Sequence, residues 1–298
     1  MSAAKNLNEL LNSKPIVKVC GAFDAMSAKL VELHGFDAVW AGSFAISSTH
    51  AVPDASILTM TEFFDAASKM AETCKIPVIA DCDTGYGGPS NVSHMTRKYE
   101  NAGIASICME DKVFPKQNSL LENGQNDLIS EKEFVAKIIA AKEVKQDKDF
   151  MIIARVEALI SGAGMNEALK RATAYENAGA DAILIHSKKK TPEEVFEFAE
   201  SWKGNLPIVA IPTTYNTVTL DELISHKIKM VIHANQTLRA AHASMSRILK
   251  QMINSNSLSE VKEEISSMED IFHLQKMYDV KTKEKNLEDE LKKLGYVD

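Results

Sequence analysis

Three carboxylates follow two short apolar segments of the chain. Asp81 and Asp83 come directly after residues 77–80, and Glu110 comes directly after residues 105–109. Apolar runs of this length are typical of buried strands, so each carboxylate stands where a strand ends and a loop begins. Residues two apart on a strand point to the same side, which predicts that Asp81 and Asp83 act together. Because Mg²⁺ prefers oxygen ligands and retains several waters, the sequence predicts a magnesium site.

A plainer interpretation of this cluster stays open. Asp83-Thr84-Gly85 could be only a turn and Asp81 only a cap. Asp54, from the loop after the second predicted strand, adds a fourth carboxylate at the same edge. Zinc is disfavoured, because the cluster contains no Cys–His grouping with the spacing of zinc ligands.

A long polar loop follows Glu110. It carries Lys112, Lys116, Asn118 and Ser119, and no helix begins before about residue 131. In compact domains, loops of this length are usually lids or binding elements. A cationic loop beside a carboxylate cluster therefore predicts a lid that closes over a metal site.

Arg155 and His186 each follow a further short apolar run. A planar guanidinium at a strand end suits a carboxylate or an enolate oxygen, although a structural salt bridge to Glu157 or Glu110 is the alternative. A histidine in such a position is by itself more often structural than catalytic. Its place on the same rim as the carboxylates favours a functional role.

The end of the second predicted strand offers Trp40 and the backbone N–H groups of Gly42, Ser43 and Phe44. These N–H groups could bind an anionic oxygen, or the segment could be an ordinary turn. Charged groups at several apolar strand ends are hard to explain by packing, since buried charge is costly unless it is paired or bound to metal. Together the strand ends predict a Mg²⁺ site for a small anionic substrate, and hence a lyase, isomerase or hydrolase of a small oxyacid.

Strand-like and helix-like segments alternate along the chain. The predicted strands cover residues 15–20, 38–41, 77–80, 105–110, 150–156, 182–186, 207–211 and 230–233. The helices that follow them cover residues 25–34, 61–74, 91–101, 131–145, 166–177, 191–202, 220–226 and 237–253. Eight such units in this length predict an α/β fold of the closed (β/α)₈ TIM-barrel type, whose active sites lie at the carboxyl ends of the strands. A doubly wound open sheet is the competing fold, but no Gly-x-Gly-x-x-Gly follows the first strand.

The remaining residues, 254–298, are expected to form a helical extension to a barrel domain of residues 1–253. Residues 258–278 carry an apolar stripe and predict one or two amphipathic helices, which must bury that stripe on the barrel or on a neighbouring subunit. The charged run 281–293 predicts a solvated helix or a frayed tail.

Composition excludes several classes of function. The chain has 298 residues and a net charge of −7, so it lacks the basic field that a general nucleic-acid binder needs. Its N-terminus lacks the build of a signal peptide, and no apolar run approaches the length of a membrane span. The four cysteines form no Cys-x-x-Cys pair, which predicts reduced thiols. We therefore expect a soluble, cytoplasmic protein without membrane or nucleic-acid partners.

Several longer motifs add a family resemblance. Residues 81–87 read D-C-D-T-G-Y-G and residues 110–119 read E-D-K-V-F-P-K-Q-N-S, with further matches at 154–158, 179–189 and 234–240. The first resembles the metal motif of the isocitrate lyase/phosphoenolpyruvate mutase superfamily. The second is similar to the loop of the phosphoenolpyruvate mutases, which reads E-D-K-x-F-P-K-x-N-S. The resemblance extends from about residue 21 to residue 274.

The resemblance implies a Mg²⁺-dependent isomerase that interconverts phosphoenolpyruvate and phosphonopyruvate, the first step of phosphonate biosynthesis. The phosphoryl group would pass through a loose, metaphosphate-like state. By the same resemblance Asp81 would anchor Mg²⁺ most directly, while Asp54, Asp83 and Glu110 would hold its waters. Asp54 is also a candidate catalytic residue.

The resemblance also implies how the substrate is held. Arg155 and the backbone of Gly42, Ser43 and Phe44 would bind the enolate and carboxylate oxygens, and Trp40 would form a wall of the pocket. Asn118, Arg155 and His186 would hold the phosphoryl group in transit. Lys116 would move in with the lid and approach Glu110 or the substrate. Without substrate we expect this lid to be mobile or partly open.

Relatives on the same scaffold leave alternatives open. Carbon–carbon lyases of the superfamily carry a loop cysteine, which is missing between Lys116 and Ser119. Phosphonopyruvate hydrolases typically have Thr where Asn118 stands, so Asn118 favours the mutase. A non-catalytic barrel is the remaining alternative, and it predicts lost strand-end charges. Family members are usually homotetramers whose dimers exchange a C-terminal helix, and we expect the same here.

Overall fold

The computed structural model describes residues 2–257, 259 and 265–296. It confirms the closed barrel: eight parallel strands follow one another in chain order, and the eighth pairs with the first. The strands are β1 (Val17–Ala22), β2 (Ala38–Ala41), β3 (Val78–Asp81), β4 (Ser106–Glu110), β5 (Met151–Val156), β6 (Ala182–Ile185), β7 (Ile208–Ala210) and β8 (Ile228–His233). Their bounds differ from the predicted ones by a few residues, as is usual at element ends.

Helices separate the strands and surround the barrel. They are α1 (Ala3–Ser13), α2 (Ala25–Leu33), α3 (Ser43–Thr49), α4 (Met60–Thr73), α5 (Pro89–Asn101), α6 (Glu131–Val144), α7 (Ala158–Ser161), α8 (Met165–Ala178), α9 (Glu193–Ser201), α10 (Leu220–Ser225), α11 (Gln236–Asn254), α12 (Met268–Leu274) and α13 (Met277–Lys293). Helices α1, α3 and α7 were not predicted from the sequence. The last two are too short to show a helical period, and α1 lies outside the eight repeated units.

Local sequence signals explain where the long helices begin and end. Ser130 caps α6 by accepting a hydrogen bond from the backbone of Glu133, whose carboxylate accepts one from Ser130 in return. Such a reciprocal pair satisfies N–H groups that have no partner inside the helix. A different signal marks the C-terminal end of α8. This helix ends at Gly179, whose left-handed backbone conformation (φ +97°) is rare for other residues.

Two apolar layers hold the barrel together. Side chains that alternate along the strands fill the barrel interior, while the outward-facing ones pack against the helices. The interior layer contains Val17, Val19, Ala38, Trp40, Ile79, Cys108, Ile153, Leu184, Val209 and Ile232 among others. Burying this surface is the main stabilisation of such a fold.

Helix α1 closes the barrel interior at the amino-terminal side of the strands. Ser2 caps the helix by accepting a hydrogen bond from Lys5. Leu7 and Leu11 are buried and belong to the same apolar cluster as the interior strand residues. The barrel therefore has a solid core rather than a channel.

The chain divides into two compact units, residues 1–239 and 240–298. The second unit contains α12, α13 and most of α11. The predicted boundary after residue 253 stays a prediction. Helices were predicted within residues 258–278; α12 and the start of α13 lie there, while residues 258 and 260–264 lie outside the described part. The charged run 281–293 forms an exposed helix. Within the described residues, no helix is long and apolar enough to cross a membrane.

Candidate active site

The charged strand-end residues occupy the last inward-facing positions of their strands. Asp81, Glu110, Arg155 and His186 each come two residues after a side chain of the barrel interior. Those interior side chains are Ile79, Cys108, Ile153 and Leu184. Glu110 and Arg155 are direct neighbours in the register of β4 and β5. The alternation that fills the barrel with apolar groups thus continues into polar groups at its carboxyl rim.

Asp81 ends β3 and is held by the start of α3. Its Oδ2 accepts hydrogen bonds from the hydroxyl of Ser43 at 2.9 Å and from the backbone N–H of Ser43 at 3.3 Å. The expected strand geometry for Asp83 is wrong, because Asp83 has a left-handed backbone (φ +48°) and lies in a turn. The turn still places its backbone N–H 3.3 Å from Asp81 Oδ1. The two carboxylates therefore meet through a turn rather than through strand alternation.

Lys116 connects the polar loop to the carboxylate cluster. Its Nζ lies 2.7 Å from Asp54 Oδ1 and 3.0 Å from Asp83 Oδ1, and its side chain is buried. Asn118 donates a second hydrogen bond to Asp54, at 2.7 Å. Lys116 thus forms ion pairs with Asp54 and Asp83, while Glu110 pairs with Arg155. The expected approach of Lys116 to Glu110 or to the substrate when the loop closes stays a prediction.

Burial and charge shift the pKa values of this cluster in opposite directions. Burial raises the pKa of Asp83 to about 6 and that of Glu110 to about 7, although Lys116 and Arg155 respectively oppose the rise. For Asp54 burial also acts upward, but the ion pair with Lys116 and the hydrogen bond from Asn118 bring its pKa below the usual value. Burial acts to lower the pKa of Lys116, yet the surrounding carboxylates hold it well above the usual value. Lys116 is thus a fixed cation, whereas Asp83 and Glu110 exchange protons near neutral pH.

Arg155 and His186 share one carboxylate. Arg155 Nε donates to Glu157 Oε1 at 2.6 Å, and Arg155 Nη2 lies 3.2 Å from Glu110 Oε2. His186 Nδ1 lies 2.7 Å from the same Glu157 oxygen. The salt bridges that were the structural alternative for Arg155 therefore both exist, and they orient its guanidinium. Burial lowers the pKa of His186, although the nearby Glu157 opposes this shift.

The polar loop folds over this rim from a narrow base. Val113 N donates to Asp127 O at 2.9 Å, and Ile129 N donates to Asp111 O at 3.0 Å, so the two arms of the loop run antiparallel. Lys112 is buried between the arms and donates to Ser119 Oγ at 3.1 Å and to the carbonyl of Gln117. Residues 114–126 form the part beyond this base. The predicted mobility of the loop without substrate stays a prediction.

The end of β2 supplies a flat wall and a helix start. Trp40 is almost fully buried, and a side chain added at Gly42 would come within 2.8 Å of its indole nitrogen. Only glycine therefore fits beside Trp40 at this point. Helix α3 begins at Ser43 directly after Gly42, so the segment is a strand-to-helix junction rather than an open turn. Phe44 lies on the first turn of that helix and is partly exposed.

The loop and the strand ends enclose a cavity of about 70 Å³. Its lining contains ten residues that were predicted from the sequence: Trp40, Gly42, Ser43, Phe44, Asp54, Asp81, Lys116, Asn118, Arg155 and His186. Asp83 and Glu110 lie behind this lining, against Lys116 and Arg155. A small cavity with lysine, arginine, histidine and amide side chains in its lining suits a small anionic molecule.

Several residues of the site were given no catalytic or binding role from the sequence, although Glu157 was named as a possible salt-bridge partner of Arg155. Ser119 and Asn235 line the cavity, and Glu157 contacts both Arg155 and His186. The position of Asn235 after β8 and of Glu157 after β5 is a usable signal, because both follow strand ends. Ser56, whose hydroxyl accepts a hydrogen bond from the backbone of Lys116 at 3.0 Å, shows no signal in the sequence.

The charge balance of the site fits a divalent cation. Five carboxylates (Asp54, Asp81, Asp83, Glu110 and Glu157) face three lysine or arginine cations (Lys112, Lys116 and Arg155). Glu110 Oε1 is buried without a hydrogen-bond partner, and Asp83 Oδ1 has the ion-pair contact with Lys116 but no hydrogen bond. Within the described residues, no three Asp, Glu, His or Cys side chains are close enough together to ligate one metal ion jointly. The excess of carboxylates and the buried Glu110 oxygen without a hydrogen bond fit a divalent cation such as Mg²⁺, which prefers oxygen ligands.

Comparisons with known proteins agree with this geometry. The sequence model of the family described as "Phosphoenolpyruvate phosphomutase" matches residues 7–253. The chain is 41% identical to a phosphoenolpyruvate phosphomutase of Tetrahymena pyriformis over 269 residues, which is 90% of each chain. The crystal structure of a phosphoenolpyruvate phosphomutase from Streptomyces platensis subsp. rosaceus superposes with a TM-score of 0.93 at 43% identity, covering 95% of this chain and 98% of that one.

A phosphonopyruvate hydrolase, solved in complex with oxalate and Mg²⁺, is also similar. It superposes with a TM-score of 0.89 at 39% identity, again covering 95% of this chain and 98% of the other. The fold and overall identity therefore do not separate mutase from hydrolase. The distinction between mutase and hydrolase therefore depends on individual residues of the site.

Proposed function

The chain belongs to the phosphoenolpyruvate phosphomutase family, and from this premise we propose that it interconverts phosphoenolpyruvate and phosphonopyruvate in a Mg²⁺-dependent reaction. In the direction of phosphonopyruvate, the bond between phosphorus and the enol oxygen breaks and a bond between phosphorus and C3 forms. No other reactant is consumed. The protein is thus an isomerase that transfers a phosphoryl group within one molecule.

The observation that carries this proposal is the polar loop over the cavity. It buries Lys116 and Ser119 at the rim and places Asn118 in the cavity lining. A metaphosphate-like group reacts with any nucleophile within reach, so a mutase must exclude water until carbon captures the phosphorus. Asn118, at the position where hydrolases typically have Thr, offers an amide that stabilises oxygens without adding a hydroxyl at phosphorus.

The residues around the cavity would bind two parts of the substrate, and Arg155 would contact both. Arg155 and the α3 start at Ser43 and Phe44 would bind the carboxylate and enolate oxygens, with the flat Trp40 ring keeping the three-carbon unit planar. Asn118, Arg155 and His186 would bind the phosphoryl oxygens while the group moves. Holding both fragments in place turns recapture into a short displacement, which is the main contribution that positioning makes to rate.

Asp81 would hold Mg²⁺ directly, and Asp54, Asp83 and Glu110 would hold its waters. The excess negative charge, the buried Glu110 oxygen without a hydrogen bond and the Mg²⁺ bound by the related hydrolase support this assignment. When bound, Mg²⁺ would supply positive charge to the substrate oxygens. Lys116 would keep Asp54 and Asp83 oriented while the loop is closed.

Turnover of phosphonopyruvate, followed by ³¹P NMR, tests the function. With Mg²⁺ present we expect the phosphonopyruvate resonance to be replaced by that of phosphoenolpyruvate, without net formation of inorganic phosphate. Inorganic phosphate as the main product would instead assign the hydrolase activity. An unchanged spectrum would contradict both activities and favour a non-catalytic barrel.

Affinity for Mg²⁺ should weaken as the pH falls. Asp83 and Glu110 have pKa values raised to about 6 and about 7, so below these values they hold protons that a cation must displace. We expect the dissociation constant, measured by isothermal titration calorimetry, to increase at least ~10-fold from pH 8 to pH 6. Asp83→Asn, which removes one of the two protons, should reduce this slope. An affinity that is constant over the range would contradict the assignment.

We also propose a homotetramer in which dimers exchange a C-terminal helix. Met245, Leu249 and Met252 are exposed on α11 at a spacing that forms one stripe, and Met268 on α12 is exposed as well. Such an apolar stripe needs a covering partner. Light scattering at micromolar concentration should give four times the mass of the chain, and a monomer would contradict the proposal.

A further inference from the structure

Glu157 makes contacts that neither the metal nor the substrate assignment requires. Its Oε1 accepts from Arg155 Nε at 2.6 Å and lies 2.7 Å from His186 Nδ1, and its Oε2 accepts from Ser119 Oγ at 2.7 Å. The side chain is completely buried. One carboxylate therefore joins a residue of β5, a residue at the end of β6 and a residue of the polar loop.

The backbone of Glu157 is itself fixed. Its N–H donates to Asp111 Oδ1 at 2.9 Å, and the other oxygen of Asp111 accepts from Tyr175 at 2.6 Å and from Arg171 at 3.1 Å. Arg171 and Tyr175 lie on α8, behind the barrel wall. Glu157 is thus anchored from outside the cavity and makes its contacts toward the inside.

His186 Nδ1 has two competing neighbours. Besides Glu157 Oε1 at 2.7 Å, Arg155 Nη2 lies 2.9 Å away, and a guanidinium can only donate. A carboxylate can only accept, so the ring nitrogen either donates to Glu157 or accepts from Arg155. The shorter contact to a charged acceptor favours a proton on Nδ1. His186 Nε2 is then the nitrogen left for the cavity. It accepts in the neutral ring and donates to a phosphoryl oxygen when the ring takes up a second proton, a charge that the Glu157 carboxylate stabilises.

We propose that Glu157 is a positioning residue that fixes the proton of His186 on Nδ1, aims Arg155 and latches the closed loop through Ser119. The proposal rests on the function proposed above, because His186 and Arg155 are there the groups that bind the phosphoryl oxygens. Through one buried carboxylate, closure of the loop is coupled to the orientation of Arg155 and His186. A shift of either side chain would disturb Glu157, which also holds the loop through Ser119.

The near-isosteric Glu157→Gln variant tests the first two contacts. Gln removes the charge that selects Nδ1, so Arg155 can donate to that nitrogen and the proton moves to Nε2. We expect ¹⁵N NMR of labelled histidine to show a protonated Nδ1 in the wild type and a protonated Nε2 in the variant. We expect kcat to fall on the order of 10²-fold with a smaller change in KM, since misaligned groups lose most in the transition state.

Ser119→Ala separates the latch from the His186 contact and remains informative if Glu157→Gln does not fold. It should leave the protonation of His186 as in the wild type, while trypsin cleaves the loop after Lys116 several-fold faster. Glu157→Gln should show the same faster cleavage. Asp37→Asn is the matched control: Asp37 is also a buried carboxylate, it accepts from the backbone of Lys18 at 2.8 Å, and it precedes β2 at the other end of the barrel. The control should change neither the His186 spectrum nor the cleavage rate of the loop.

These readouts keep the two proposals apart. The spectrum and the cleavage rate need no turnover, so they test Glu157 even if the wild type proves to be a hydrolase or inactive. An unchanged His186 tautomer in Glu157→Gln, or an unchanged cleavage rate in both loop-contact variants, would overturn the positioning role. A kcat that matches the wild type in Glu157→Gln would overturn it as well.

Discussion

Replacing Asp81 by Ala should lower kcat for phosphonopyruvate turnover at least ~10³-fold, equivalent to about 4 kcal/mol of transition-state stabilisation. Asp81 lines the cavity at the end of β3, where it accepts hydrogen bonds from Ser43 and from the backbone of Asp83. Without it the first ligand of the cation is lost, while the barrel interior is untouched. Calorimetry should detect no Mg²⁺ binding in the micromolar to low millimolar range.

The fold should survive this change. The lost hydrogen bonds to Ser43 amount to roughly 1 kcal/mol of unfolding free energy, so the thermal transition should shift by only a few degrees. Asp65→Ala is the control, because Asp65 is an exposed carboxylate on α4 that pairs with Lys69 and does not line the cavity. Full activity of Asp81→Ala in the presence of a chelator would refute the metal assignment.

Replacing Asn118 by Ala should lower turnover ~10²–10³-fold, the loss typical of a donor used chiefly in the transition state. In the structure the Asn118 side-chain Nδ2 donates to Asp54 Oδ2 at 2.7 Å, and its side-chain Oδ1 accepts from Leu120 N at 3.0 Å. The variant therefore loses a phosphoryl-binding amide and also the clamp on Asp54. Steady-state assays and ³¹P NMR measure rate and product together.

Asn118→Thr is the sharper variant. A hydroxyl at this position can orient water toward phosphorus, so inorganic phosphate should appear beside phosphoenolpyruvate. Gln117→Ala is the matched control, because the Gln117 side chain accepts from Gln125 N at 2.9 Å within the same loop. It should change turnover by no more than a few-fold. Wild-type rates in Asn118→Ala would show that the loop amide has no part in the reaction.

Much of the barrel was readable from the sequence because its physical signals are local. Short apolar strands, glycine C-caps and capping boxes all lie within a few residues of the elements that they define. The strand-end residues Asp81, Glu110, Arg155 and His186 were readable because each ends a short apolar run. That each also takes the next inward position after an apolar interior residue is seen only in the structure.

Contacts between distant segments were less accessible. Lys116 reaches Asp54 and Asp83, and Ser119 reaches Glu157, across separations of more than thirty residues, and no local pattern specifies such pairs. The turn at Asp83 was only an alternative interpretation, because an Asp two residues beyond Asp81 also fits continued strand alternation. Its left-handed backbone was not predicted. Helix α1 was missed because its role depends on the open end of a barrel that forms only when the chain is folded.

The solid barrel core has a consequence for the flow of molecules through the catalytic cycle. Helix α1 and the interior side chains block the amino-terminal end of the barrel. Substrate and product must therefore enter and leave through the same opening at the carboxyl rim, which the polar loop covers. Each turnover then needs one entry and one exit through the same opening. We expect the loop to open for each entry and each exit, so that its opening rate limits kcat. A loop that opened more often would also admit more water to the phosphoryl group.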